Sequence, residues 1–133
     1  MSEEKKIKVV LLEPGKLART AEIGTSIEDL QNAVDGLIEP FYPFEEQVCI
    51  VCNDEGKING MLPNRSVKNK DGVMVDFIFG PAFICDCRGE SFDSLSDEQI
   101  DRYGKMFRYP EHLARLNGKL IGIPFNPQRD HER

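Results

Sequence analysis

The sequence predicts an α+β fold with a mainly antiparallel sheet and two helices, in the order β-β-α-β-β-β-α-β-β. Short β-branched apolar runs bounded by turn residues outnumber segments with helical spacing. Two segments have that helical spacing directly behind capping residues. The dipeptide Asn117-Gly118 lies between two apolar runs and is typical of a two-residue hairpin. Strands joined by such short turns pair antiparallel, which favours this class over a parallel sheet.

A hairpin and a helix are predicted first. Residues 6–12 are rich in Ile, Val and Leu and stop at the turn sequence Glu13-Pro14-Gly15, after which residues 17–23 predict the returning strand. Thr25-Ser26-Ile27-Glu28 fits a capping box, and Gly36 is placed to end the helix. The apolar positions at helical spacing are Ile27, Leu30, Ala33 and Val34.

Strands dominate the middle of the chain. Residues 37–44 contain two prolines and predict an irregular or edge segment, whereas residues 47–52 form a short apolar run that predicts a buried central strand. Residues 73–79 and 81–85 are β-rich and are separated by Gly80, at a bulge or bend.

The last predicted elements are a helix and a hairpin. Ser96-Asp97-Glu98-Gln99 is a second capping box, and Ile100, Tyr103, Met106 and Phe107 continue it at helical spacing. Residues 113–116 and 119–125 flank Asn117-Gly118 and predict the closing hairpin.

Length and composition fit one soluble domain. The chain has 133 residues, of which 40% are hydrophobic and 30% charged, so we expect a single domain over residues 1–133 with an ordered core at about 6–125 and a frayed tail at 126–133. No apolar run approaches the roughly 20 residues that span a bilayer, and the first six residues lack a signal-peptide core. We therefore expect a cytoplasmic protein without membrane contact.

Charge is distributed unevenly along the chain. Between Arg19 and Lys57 there is no lysine or arginine but nine carboxylates, whereas residues 56–72 carry four cations against Asp71. The net charge of −6 disfavours direct binding to DNA. Both stretches also fit ordinary solvated faces.

The candidate site is the polar segment from Cys52 to Arg65. Lys57, Asn64 and Arg65 combine two cations with an amide, and such groups on a loop between strands suit an anionic or nucleotide-like ligand. Asn53 belongs to the same segment, although Asn and Gly residues here equally predict simple turns.

Two further residues are candidates for the same site. Tyr42, between Pro40 and Pro43, would supply a stacking surface together with Phe44. Asp76 interrupts an apolar run, so it either faces solvent, pairs with Arg65 or contacts a ligand.

Catalytic and metal sites are not predicted. Cys49 and Cys52 are three residues apart on a predicted strand and point to opposite faces, which favours core thiols over a zinc site with Cys85 and Cys87. His112 has no nucleophile or acid partner nearby in the sequence. No catalytic residue, metal or cofactor is therefore assigned, and an enzyme of unfamiliar type remains the third hypothesis.

Several short segments occur together in this order: Leu12-Glu13-Pro14-Gly15, Tyr42-Pro43-Phe44, Val51-Cys52-Asn53-Asp54-Glu55-Gly56-Lys57 with Gly60, Pro63-Asn64-Arg65, Phe83-Ile84-Cys85 and Ser94-Leu95-Ser96-Asp97-Glu98-Gln99. Together they resemble a family of small proteins of unknown function from Firmicutes, their mobile elements and their phages. The resemblance covers about residues 7–125 and implies a stand-alone cytoplasmic domain, with no established catalytic residues.

Two functions compete on this basis. The first is a non-enzymatic binding protein that sequesters a small anionic or nucleotide-like ligand through the segment from Cys52 to Arg65. The second is an acidic protein-interaction module or inhibitor, whose carboxylates between residues 22 and 55 imitate nucleic-acid charge toward a protein partner. A sheet with an open edge also favours a homo-oligomer.

Overall fold

The computed structural model describes residues 5–128 and confirms the α+β class. Nine strands and two helices follow one another in this part of the chain. Their bounds are β1 Lys6–Leu12, β2 Arg19–Gly24, α1 Ile27–Val34, β3 Ile38–Phe41, β4 Val48–Asn53, β5 Pro63–Lys68, β6 Met74–Phe79, β7 Ala82–Asp86, α2 Asp97–Met106, β8 Glu111–Leu116 and β9 Lys119–Pro124.

A five-stranded sheet forms the centre, in the order β2-β1-β7-β4-β3, with every neighbouring pair antiparallel. Two separate hairpins, β5–β6 and β8–β9, are antiparallel as well. The predicted first hairpin is β1–β2, and the predicted central strand is β4. At the turn of β8–β9, Asn117 and Gly118 both have positive φ, as the Asn-Gly sequence predicts.

Both faces of the central sheet are buried. One face packs against α1 through Leu30 and Val34, and the other packs against α2 and the β5–β6 hairpin. Cys49 belongs to the buried cluster on the α1 face, and Cys52 packs against the cluster on the α2 face. This confirms that the two thiols point to opposite faces of the sheet. The sheet is thus the middle layer between α1 and the elements that build the site described below.

Capping residues define where the helices begin. Ser26 caps α1 by accepting a hydrogen bond from the Asp29 N–H, so the cap lies one residue after the Thr25 that the predicted capping box would use. Ser96 and Gln99 form the predicted reciprocal box at the start of α2.

The predicted order contains too few strands between the helices, because it omits β3 and β5. β3 is an edge strand, as its Pro40 allows. β5 has a polar sequence because three of its four buried positions are Asn64, Arg65 and Ser66, and only Val67 is apolar.

The terminal segments are only partly described. Of the tail predicted to be frayed, residues 129–133 lie outside the described residues, as do residues 1–4. No helix in the range 5–128 has both the length and the apolar character to cross a membrane.

Candidate functional site

A cleft of about 790 Å³ opens between α2, the β5–β6 turn and residues 43–46. Its size falls within the range of small-molecule sites in proteins. We refer to it as the cleft; it is lined by Pro43, Phe44, Glu45, Glu46, Ser66, Lys68, Asn69, Lys70, Gly72, Arg102, Tyr103, Met106, Phe107 and Glu111.

Aromatic side chains form the apolar part of the cleft. Phe44 packs at 4.7 Å from the Tyr103 ring and at 6.2 Å from the Phe107 ring, measured between centroids. Tyr103 and Phe107 are buried, whereas Phe44 is half-buried and Met106 is exposed. An aromatic and thioether surface of this kind suits a planar ring.

One wall of the cleft is held by a network around Glu46. The Glu46 carboxylate accepts hydrogen bonds from Arg102 Nη1 at 2.6 Å, from Gln99 Nε2 at 3.3 Å and from the Tyr103 hydroxyl. Arg102 also makes a two-pronged contact with Glu98, at 2.8 Å from each of two nitrogens. The Arg102 guanidinium lowers the pKa of Glu46, so this carboxylate stays ionised near neutrality. Residues 43–46 are thereby fixed to α2.

Two lysines lie at the mouth of the cleft. Lys70 Nζ is 3.5 Å from the Glu45 carboxylate, and both side chains are more than three-quarters exposed. Lys68 is exposed and forms no ion pair within residues 5–128. An exposed ion pair contributes little free energy, so Lys70 is nearly as available to an anion as Lys68.

Ser66 and Glu111 line the cleft where β5 meets β8. Glu111 Oε1 accepts a hydrogen bond from the Ser66 N–H at 3.1 Å. The Ser66 hydroxyl is buried and has no hydrogen-bond partner, and it is the one buried side-chain oxygen or nitrogen within residues 5–128 of which this is true. A buried hydroxyl without a partner costs roughly 1–3 kcal/mol.

Asn64 and Arg65 lie inside the protein, which corrects the prediction that they face a ligand. Both are 0% exposed. Asn64 Nδ2 donates to the carbonyls of Leu12 and Gly80 at 3.0 and 2.8 Å. Its Oδ1 accepts from Arg65 Nη1 at 2.6 Å. The amide therefore connects β5 to β1 and to the start of β7.

The Arg65 guanidinium binds backbone carbonyls. Nε donates to the Phe107 carbonyl and Nη2 to the Lys16 carbonyl, both at 2.6 Å, and Nη1 donates to the Glu13 carbonyl at 3.2 Å. Burial lowers the pKa of Arg65 to about 10, which still leaves it charged at neutral pH. Arg65 is not the partner of Asp76, because its donors join the β1–β2 turn to the end of α2.

Asn53 is also a structural residue. Its Nδ2 donates to the carbonyls of Val34 and Asp35 at 3.1 and 3.0 Å, at the end of α1. Its Oδ1 accepts from the Glu55 N–H at 2.8 Å. The side chain therefore satisfies helix carbonyls that lack partners within α1.

Lys57 and Asp76 pair with each other at the surface, with Nζ and Oδ1 2.9 Å apart. A smaller cavity of about 200 Å³ lies beside them. Its charged lining consists of Lys57 and four carboxylates: Glu39, Asp54, Glu55 and Asp76. This surplus of negative charge disfavours an anion there.

Tyr42 and the cysteines lie outside the cleft. Tyr42 is 64% exposed, and of the two predicted stacking residues only Phe44 lines the cleft. Cys49 and Cys85 are buried, with their sulfurs 3.8 Å apart. Burial raises the pKa of Cys52 to about 11, so that thiol is a poor nucleophile at neutral pH. In the described range no three Cys, His, Asp or Glu side chains are grouped to hold a metal.

Sequence reasoning did not assign the residues that build the cleft. Lys68 and Lys70 were visible as part of a basic stretch, and Phe44 as an aromatic directly after Pro43. Ser66 and Glu111 carried no usable signal, because they are 45 residues apart and meet only through the packing of β5 on β8. Arg102 and Tyr103 were visible only as parts of a helix.

Comparison with curated proteins and with solved structures gives no match in either case. The family described as "Domain of unknown function (DUF3846)" matches residues 7–108, which run from β1 to just past α2 and leave out the β8–β9 hairpin. This match covers most of the sequence, and the chain belongs to that family.

Proposed function

We propose that this protein is a non-enzymatic binding protein that holds a small anionic, nucleotide-like ligand in the cleft. The ring of the ligand lies against Phe44 and Met106, and its anionic group lies between Lys68 and Lys70 at the mouth. This function is the one that the sequence favours, but the proposed binding site is the cleft rather than the segment 52–65.

The observation that carries this proposal is the combination of an aromatic interior with an unpaired cation at the rim of a 790 Å³ cleft. Buried aromatic surface supplies most of the affinity for a flat ring, and a few polar groups orient it. An ammonium without a carboxylate partner is available to bind a phosphate oxygen. The cavity beside Lys57 is about a quarter as large and its lining is more acidic.

A binding protein without catalytic machinery acts by removing its ligand from solution. If the gene lies in a phage or mobile element, as the resemblance implies, the ligand would be a host nucleotide whose removal benefits that element. The acidic inhibitor that imitates nucleic-acid charge is the second candidate. Of the nine carboxylates between residues 22 and 55, only Glu45 and Glu46 form ion pairs within residues 5–128.

Isothermal titration calorimetry with AMP, GMP, CMP and UMP tests the proposal. We expect at least one of these nucleotides to bind, with an affinity that falls as salt is added, because the lysine–phosphate contact is screened. The double substitution Lys68→Ala and Lys70→Ala should weaken binding roughly 10- to 100-fold, at about tenfold for each lost charged contact.

The matched control is Lys57→Ala, which removes a lysine of similar exposure outside the cleft. This variant should bind the nucleotide as tightly as the wild-type protein. Failure of all four nucleotides to bind would overturn the proposal. Loss of binding in Lys57→Ala, with the double variant unaffected, would return the site to the segment 52–65.

A further inference from the structure

One polar group in the wall of the cleft, the Ser66 hydroxyl, has no partner among residues 5–128. Ser66 is 5% exposed, and its hydroxyl neither donates nor accepts a hydrogen bond. Buried hydroxyls in folded proteins normally find a partner, so an unpartnered one in the wall of a cavity indicates a group that arrives from outside. A rotation about the Cα–Cβ bond moves this hydroxyl between staggered positions, which allows it to meet such a group.

Glu111 contacts the backbone of Ser66 and adds acceptor capacity. Its carboxylate accepts one hydrogen bond within residues 5–128, from the Ser66 N–H to Oε1. A carboxylate offers about four lone-pair positions, so Glu111 has acceptors to spare for a ligand. The lining of the cleft therefore includes an unpartnered hydroxyl and a carboxylate that binds the backbone of the same serine.

We infer that the ligand is a guanine-type nucleotide, that is, a ring with an oxo group next to two N–H donors, carrying a phosphate at its other end. The Ser66 hydroxyl donates to the ring oxygen O6. The Glu111 carboxylate accepts from N1–H and from the 2-amino group. This inference rests on the proposed function and specifies its ligand.

The order of charges along β5 fits this orientation. Ser66 and Lys68 are two residues apart, which corresponds to about 7 Å along a strand, and Lys70 follows in the turn beyond. The carboxylate that contacts Ser66 is thus separated along the strand from the two lysines. An adenine ring presents an amino donor at position 6 and an acceptor at N1. The Ser66 hydroxyl could turn to accept from the amino group, but the Glu111 carboxylate would face the N1 lone pair, and this contact opposes binding.

Calorimetry with GMP, IMP and AMP on the wild-type protein tests the inference. These nucleotides share the ribose and phosphate and differ only in the ring edge. We expect GMP to bind about 10- to 100-fold more tightly than AMP, since a matched pair of ring-edge hydrogen bonds discriminates by that much. IMP keeps O6 and N1–H but lacks the 2-amino group, and it should lie between them.

Two variants separate recognition from folding. Glu111→Gln keeps an acceptor for the Ser66 N–H and should lower GMP affinity about tenfold, whereas AMP affinity should rise because the new amide can donate to the adenine N1. Ser66→Ala removes a hydroxyl that has no partner, so its thermal stability should equal or exceed that of the wild type while GMP affinity falls. A structural role for Ser66 predicts the opposite change in stability.

The outcomes distinguish this inference from the proposed function. Equal affinity for GMP and AMP, with both lost in the Lys68/Lys70 double variant, would overturn the guanine assignment and leave a nucleotide-binding cleft. GMP affinity unchanged in both Glu111→Gln and Ser66→Ala would also overturn it. Absence of binding by every nucleotide would overturn the proposed function and this inference with it.

Discussion

The segment from Asn53 to Arg65 and the cleft use similar residues for different purposes. In the segment, the side chains of Asn53, Asn64 and Arg65 bind backbone carbonyls, over distances of 2.6 to 3.4 Å. In the cleft, the Ser66 hydroxyl has no hydrogen-bond partner and Lys68 has no ion pair within the described residues. Polar residues that are fully satisfied within the protein stabilise the fold, whereas unsatisfied ones are available to a ligand.

Arg65→Ala tests the structural half of this comparison and should have the largest effect. The substitution removes a fully buried side chain and leaves the carbonyls of Phe107, Lys16 and Glu13 without their donor. We expect the free energy of unfolding to fall by on the order of 3–5 kcal/mol, because a cavity and several unsatisfied carbonyls result. Urea denaturation followed by circular dichroism measures this change.

Lys57→Ala is the control from the same segment. Lys57 pairs with Asp76 at the surface, with the lysine side chain 61% exposed, so its removal should cost no more than about 1 kcal/mol. If the two substitutions cost the same, Arg65 does not have the structural role that its hydrogen bonds indicate.

The sequence predicted the fold better than the site. Helix caps and turns depend on residues that are close together in the chain, whereas the site depends on residues that are far apart. Capping residues at Ser96 and Gln99, and the turn at Asn117-Gly118, act over two to four residues and were predicted correctly. β5 was missed because burial of a guanidinium depends on carbonyls more than 40 residues away, at positions such as Phe107.

The same reason explains the wrong placement of Arg65. An arginine next to an asparagine in a polar segment has the composition of a ligand site, and only the folded structure shows where its donors are used. That Phe44 supplies a stacking surface for a ligand stays a prediction; the structure shows that Phe44 lines the cleft and that Tyr42 does not.

Asn53→Ala should have an intermediate effect, confined to the end of α1. The variant loses two hydrogen bonds to the carbonyls of Val34 and Asp35 and one from the Glu55 N–H. We expect a loss of about 1–2 kcal/mol, because one donor group serves both carbonyls and water can replace part of it. Hydrogen exchange should show the loss of protection at α1 before the central sheet is affected.

Asn59→Ala is the matched control, since Asn59 is exposed in the same segment. A loss of stability in Asn59→Ala equal to that in Asn53→Ala would show that the effect arises from the segment as a whole rather than from the cap on α1.

Glu46→Gln should change the free energy of unfolding least. The pH dependence of that change tests whether the ionised Glu46 carboxylate holds residues 43–46, one wall of the cleft, against α2. The hydrogen bonds from Arg102, Tyr103 and Gln99 favour the ionised carboxylate, and the Arg102 contact contributes most to lowering its pKa below the ordinary 4.5. A pKa lowered by folding contributes stability that is fully present above the unfolded value and is lost as the pH falls through the folded value. Wild type should therefore exceed Glu46→Gln by about 1 kcal/mol at pH 7, and the difference should shrink below pH 4.5.

Unfolding free energies of both proteins between pH 7 and pH 3 measure this difference. Glu45→Gln is the control, because its carboxylate is 85% exposed and contacts only Lys70 among the described residues. A constant difference between wild type and Glu46→Gln over this range would mean that the ionised carboxylate does not hold residues 43–46 against α2. The wall of the cleft would then be fixed by the packing of Phe44 on Tyr103 alone, and ligand affinity should be independent of the charge on Glu46.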